Sequence, residues 1–203
     1  MRIKFYIKLL LRKVFPYFMF WIIQSYKMPC PPKVKRRAIY SHSIKGGDWI
    51  ETGTYLGETT KFLANRKNKV ISIEPQLNLF EFNQMRFRKN KNVTIIHGTS
   101  QEKLSAAIEM LSGDINFFLD GHFSGGLTFD SGRAPIMEEL EIIINSINPK
   151  QKIKVFIDDF RLFQQGNQGD ELYPDRNVVI SWLSNRGFYW NIDHDILQIW
   201  NFQ

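Results

Sequence analysis

Several apolar runs in this chain end on acids. "INFFL" (115–119) stops at Asp120, followed by Gly121 and His122, and "KIKVFI" (152–157) stops at Asp158-Asp159. Earlier, "DWI" (48–50) leads into Glu51-Thr52-Gly53, and "VISI" (70–73) ends on Glu74. An unpartnered buried carboxylate is costly, so acids that repeatedly end apolar runs belong at an edge where a ligand or solvent meets them. Their chemistries differ. The imidazole of His122 titrates near neutrality, which makes it a candidate base for a hydroxyl proton. An ionised carboxylate only accepts hydrogen bonds, so Glu74 can take both hydroxyls of a ribose.

The elements that must position these residues follow from the hydrophobic periodicity. "DWIETG" reads as a strand, "ETTKFLANR" as a helix, "KVISIEP" as a strand and "QLNLFEFNQMRFRK" as an amphipathic helix. "VTIIHG" is a strand. "SQEKLSAAIEML" is a helix that Ser100 would cap, with Lys103 three residues on leaving half a capping box. "INFFLD" is a buried strand, and "APIMEELEIIINSI" is a helix with Ile136, Leu140, Ile143 and Ile147 on one face. "KIKVFIDDF" and "PDRNVVISWLSNRG" complete a fifth strand–helix unit, with Pro174 at the helix start and Gly187 at its end. Residues 188–202 then read as strand, tight turn, strand. The pattern predicts an α/β protein with a Rossmann-like doubly wound sheet, mostly parallel, closed by a C-terminal hairpin that adds one antiparallel strand. In such sheets ligands sit beyond the carboxyl ends of the strands, where the acids fall.

The first strand opens into Gly53-Thr54-Tyr55-Leu56-Gly57. The turn lacks the G-x-G-x-x-G spacing of dinucleotide sites and the lysine of a phosphate loop. Tyr55 and Leu56 would crowd a pyrophosphate, so a ligand with a small zwitterionic end fits better than a polyphosphate.

With these motifs, residues 46–203 resemble the class I S-adenosylmethionine-dependent methyltransferases, which have a seven-stranded sheet. The resemblance rests on "DWIETGTYLGETT", "VISIEP", "IIHGTS" and the terminal hairpin. It implies that Glu51, Gly53, Thr54, Tyr55 and Gly57 surround the methionine part of S-adenosylmethionine. Glu74 would hold its ribose, Thr99 or Ser100 would lie near its adenine, and Asp120 would contact the cofactor or a metal. One group within the family, the catechol-type, macrolide-sugar and cephalosporin-type O-methyltransferases, carries a metal. Asp120, Asp158 and Asp159 match its acidic positions and would suit Mg²⁺. The metal would lower the pKa of an acceptor hydroxyl, with His122 and Asp120 as the catalytic pair. Related sugar enzymes space their histidine one residue further on (D-G-x-H, against D-G-H here). The set "LDGHFSGG", "PIMEEL" and "FIDDFRLF" also resembles a bacterial group linked to surface-polysaccharide genes, which implies a saccharide or other hydroxylated small-molecule acceptor.

Two loops would face that acceptor. Residues 123–133, with Gly125, Gly126 and Gly132, read as a lid. After the fifth strand, Gln164, Gln165, Asn167 and Gln168 could hydrogen-bond a sugar, and Phe163 or Tyr173 could stack on its ring.

The 203 residues suffice for one full core. The single cysteine, Cys30, excludes an internal disulfide and points to a reducing, cytoplasmic compartment. The net charge of +7 is local. Residues 1–40 hold ten of the 27 Lys and Arg and no acid, leaving 17 basic residues against 20 acidic ones. The body of the protein is therefore not expected to bind nucleic acid. Residues 1–27 combine basic residues with the uncharged "VFPYFMFWII" (14–23), too short to span a bilayer. They are expected to lie as a helix on the inner, anionic membrane face, or to pack on the domain or on a second copy in a homodimer. Residues 28–40, "MPCPPKVKRRAIY", read as a Pro/Lys/Arg linker before a catalytic domain over 41–203. The competing readings are an NAD- or nucleotide-sugar-dependent enzyme on a similar sheet, and a non-catalytic membrane-associated module.

Overall fold

The computed structural model describes residue 21 and residues 29–66, 68–120, 134–163 and 173–203. Strands and helices alternate as the periodicity predicts. Helix α1 (Pro32–His42) precedes β1 (Asp48–Thr52), α2 (Glu58–Ala64), β2 (Val70–Glu74), α3 (Leu77–Phe87), β3 (Val93–His97) and α4 (Ser100–Glu109). Strand β4 (Ile115–Leu119), α5 (Ile136–Ser146), β5 (Ile153–Ile157), a 3₁₀ turn at Phe160–Leu162, α6 (Arg176–Asn185), β6 (Tyr189–Asp193) and β7 (Ile196–Trp200) follow. They form a seven-stranded sheet in the order β3-β2-β1-β4-β5-β7-β6. All neighbouring pairs from β3 to β5 are parallel, and β7 runs antiparallel to both β5 and β6. The order reverses between β1 and β4, which opens the crevice where doubly wound sheets bind ligands.

Each face of the sheet buries its own cluster. On one, Ile50, Phe117, Val155 and Leu197 meet Leu104, Leu140, Ile143, Val179 and Leu183 from α4, α5 and α6. On the other, Trp49, Phe118, Phe156 and Ile196 meet Ile39 of α1 and Leu63 of α2. Strands β2, β4 and β5 are buried along their whole length, as expected of parallel strands covered on both faces.

Two local expectations change. Residues 32–40 of the expected linker belong to a helix that runs on to His42. Pro32 sits in its first turn, where a missing N–H costs nothing, and Lys35, Ala38 and Ile39 form a buried i, i+3, i+4 face. The cap of α4 is Thr99 and not Ser100. Thr99 Oγ1 accepts from Glu102 N–H and Thr99 N–H donates to Glu102 Oε2, a complete capping box one residue earlier than the sequence suggests. Among the described residues no helix is long and apolar enough to cross a membrane.

Candidate functional site

The carboxyl ends of β1 and β2 carry the first half of the site. Gly53, Tyr55 and Gly57 all have left-handed backbone, at φ 84°, 48° and 69°. The chain thereby turns tightly from β1 into α2. Gly57 is required twice over: besides its φ, a Cβ there would meet Asn83 Oδ1 at 2.4 Å and the Phe87 ring at 2.7 Å. Asn83 in turn donates to Tyr55 O at 2.6 Å, so α3 holds the turn in place.

Glu51 lies in this floor and is 1% exposed. Its Oε2 accepts from Thr60 Oγ1 of α2 at 2.5 Å and from Ser72 Oγ at 2.7 Å. Ser72 is its register partner in β2 and also bonds Thr54 Oγ1 at 2.6 Å. Burial pushes the Glu51 carboxyl up to about 7, partly opposed by the Thr60 and Ser72 hydrogen bonds. Glu74 ends β2. Its Oε2 accepts from Tyr55 N–H at 2.8 Å and its Oε1 from Gln76 N–H at 3.0 Å. Burial raises its pKa, opposed by those two backbone donors. Each carboxylate oxygen keeps lone-pair capacity for a further donor such as a ribose hydroxyl.

Thr99 and Ser100 follow β3, on the same edge of the sheet. The Thr99 hydroxyl is engaged in its cap, and Ser100 is buried with Oγ 3.3 Å from Gln101 Oε1. Asp120 follows β4, and its N–H donates to Thr52 O at 3.1 Å, tying the end of β4 to that of β1. The structure places Glu51, Gly53, Thr54, Tyr55, Gly57, Glu74, Thr99, Ser100 and Asp120 along one edge of the sheet. His122, the lid over 123–133, and Gln164, Gln165, Asn167 and Gln168 lie outside the described residues.

The end of β5 is built differently. Lys35, from α1, places its ammonium 2.5 Å from Asp158 Oδ1, 2.7 Å from Asp159 Oδ1 and 3.7 Å from Asp195 Oδ2. Arg161 reaches Asp159 Oδ1 at 2.6 Å and also pairs with Asp195. Arg161 N–H donates to Asp195 Oδ1 at 2.8 Å and Phe160 N–H to Asp195 O at 3.0 Å, so the β6–β7 turn is locked onto the end of β5. Burial alone would lower the Lys35 pKa, but the two facing aspartates hold it above its ordinary range. The ammonium stands where a cation bridging Asp158 and Asp159 would have to sit. Among the described residues no three His, Cys, Asp or Glu are grouped to hold a metal. This arrangement does not fit the Mg²⁺ expected at Asp120, Asp158 and Asp159.

Phe163 is fully buried against Phe160 and Tyr173, with ring centroids at 5.0 and 5.4 Å, which removes it as a stacking platform for a sugar. Tyr173 remains half-buried, and burial together with the Asp159 and Asp120 charges keeps its phenol protonated. Sequence reasoning missed Lys35, Arg161, Asp195, Thr60 and Ser72. For Lys35 a signal existed, in the helical spacing of Lys35, Ala38 and Ile39.

No family model matches the chain, and no curated protein matches it. Solved structures do. A glycopeptide N-methyltransferase, MtfA, in complex with S-adenosylmethionine superposes with a TM-score of 0.55 at 10% identity, over 86% of this chain and 88% of that one. A precorrin-6y C5,15-methyltransferase from Geobacter metallireducens gives 0.55 at 12% identity, over 86% and 93%. A proposed caffeoyl-CoA O-methyltransferase from Staphylococcus aureus gives 0.54 at 16% identity, over 97% of both chains. The fold is therefore that of the S-adenosylmethionine-dependent methyltransferases. These three similar structures are named for nitrogen, carbon and oxygen methylation, so the fold leaves the acceptor atom open.

Proposed function

We propose that the protein is an S-adenosylmethionine-dependent methyltransferase acting on an oxygen of a saccharide or another hydroxylated small molecule. The observation that carries this reading is Glu74. It ends β2 with both oxygens fixed by backbone N–H groups, beside a left-handed turn and on a methyltransferase fold. A carboxylate held in this way is pre-set for the paired hydroxyls of a ribose. The cofactor supplies an electrophilic methyl group. Glu51 and the 53–57 turn receive its methionine end, where the ligand's ammonium would favour the ionised form of Glu51. Thr99 and Ser100 border the adenine.

Asp120 and His122 then serve the acceptor, His122 removing the hydroxyl proton as the methyl group is transferred. Asp158 and Asp159, paired with Lys35 and Arg161, anchor α1 to the end of β5. Residues 1–27, basic and apolar without an acid, contact an anionic membrane surface from the cytoplasmic side or pair with a second copy. Flotation of the full chain with phosphatidylglycerol vesicles, and not with phosphatidylcholine vesicles, is the outcome for a membrane contact.

The acceptor chemistry is tested with methyl-tritiated S-adenosylmethionine and a panel of free sugars, polyols and catechols. The proposal expects label in an ether that survives alkali. Label in an amine, or in an alkali-labile ester, would contradict O-methylation of a hydroxyl.

A further inference from the structure

At the opposite end of the sheet, about 16 Å from the acids by strand length, lies a second feature that the proposed reaction does not use. A cleft of about 560 Å³ opens at the amino ends of β4 and β5, with Lys45, Asp114, Lys152, Lys154, Trp200 and Phe202 in its wall. Three lysines thus face one aspartate. The carboxylate is already engaged, since Asp114 Oδ1 accepts from Lys152 N–H at 3.0 Å. Lys45 donates to Tyr40 O and Ser41 O at the end of α1, at 3.0 and 3.2 Å.

Lys154 is the unusual member. It interrupts an apolar strand and is only 7% exposed. In register it lies between Asn116 of β4 and Trp200 of β7, and Trp200 pairs onward with Tyr189 of β6. Asn116 is committed to the backbone of Ile44, at 2.8 Å to its N–H and 3.1 Å to its carbonyl. Among the described residues the Lys154 ammonium has no hydrogen bond and no acid. Its contacts are the Trp200 ring, 3.6 Å from the centroid, and the Phe156 ring at 5.9 Å. Aromatic faces offset part of the cost of burying an ammonium, and an anion would offset far more.

We propose that this cleft binds a small phosphate-bearing organic anion, with Lys154 as its buried contact and Lys152 and Lys45 at its mouth. Clustered ammonium groups favour a doubly charged oxyanion. Trp200 and Phe202 give its organic part an apolar surface. The site is independent of the methyltransferase reading. Burial pulls the Lys154 pKa down to about 8, so it is mostly charged at neutral pH and loses its proton in mild alkali. The other titratable groups around it are His42 at the end of α1, Lys45 after it, Asp114 before β4, and Lys152 on the approach to β5.

The test is calorimetric titration of the full chain, in HEPES at low chloride, with sodium sulfate and with phenyl phosphate. Both should bind saturably, phenyl phosphate more tightly. Lys154→Met should weaken both at least about tenfold, the usual effect of losing one charge-assisted hydrogen bond, and Lys152→Met by less. Sulfate stays divalent across the range, so its affinity should fall between pH 7 and pH 9.5, and Lys154→Met should abolish that fall. Thermal melting checks that the variant is folded. If it is not, Lys152→Met and Lys45→Met, both exposed, must each weaken binding. Absence of saturable heat with either anion, or unchanged affinity in the lysine variants, overturns the proposal.

Discussion

The two halves of the sheet's carboxyl edge hold buried acids in opposite ways. At β1 and β2, Glu51 and Glu74 are surrounded by neutral donors: Thr60, Ser72, and the backbone N–H groups of Tyr55 and Gln76. Burial raises both carboxyls there, and it raises Asp158 at the end of β5 as well; what differs is the opposing group, neutral donors in the first case and the Lys35 ammonium in the second. At β5, the aspartates are met by full charges, Lys35 and Arg161. The first arrangement leaves acids that can still respond to an incoming cation or hydroxyl. The second is a closed network of charges that fixes α1 and the β6–β7 turn against the end of β5. A site that looks uniformly acidic in sequence is thus divided into a receptive part and a structural part.

The largest effect should come from breaking the closed half. Lys35→Met leaves Asp158, Asp159 and Asp195 short of a counter-ion, and removing one partner of a buried ion pair costs about 3–5 kcal/mol. Urea denaturation should show that loss, and Asp158→Asn added to Lys35→Met should recover part of it. Recovery of nothing would mean that the two residues do not interact.

The receptive half should announce itself through pH. Glu51 has a raised folded pKa, so between about 4.5 and 7 the folded state binds more protons than the unfolded state. Stability therefore falls as pH rises through that window, by about 2–3 kcal/mol for this one group. Glu51→Gln should flatten that slope, as read from denaturation midpoints at pH 5 and pH 7.5. An equal slope in the variant would assign the titration elsewhere.

The smallest effect concerns the turn after β3. Thr99→Ala removes the side-chain acceptor for Glu102 N–H and should cost about 1 kcal/mol, while Ser100→Ala costs less. The reverse order would restore Ser100 as the cap.

These contrasts also explain what could be read from the chain alone. The sheet was legible because each strand carries its own apolar run and each helix its own periodicity. The β1–α2 turn was legible because its glycines and its acid are close in sequence. Glu74 needed only its place at the end of β2. Lys35 and Asp158 are 123 residues apart, and Arg161 and Asp195 are 34 apart. No local pattern records such pairings. Proline and lysine density made residues 28–40 look extended, although Pro32 falls in the one turn of a helix that tolerates it. The capping box was displaced by one residue because Thr99 and Ser100 are both able caps, and only the position of Glu102 separates them.

The most direct test of the central claim is calorimetric binding of S-adenosylhomocysteine to the full-length protein, beside Glu74→Ala. Micromolar binding to the wild type, lost in a variant that melts as a folded protein, is the expected result. A folded wild type that does not bind, or a variant that binds equally well, would contradict the assignment of this edge of the sheet as a cofactor site.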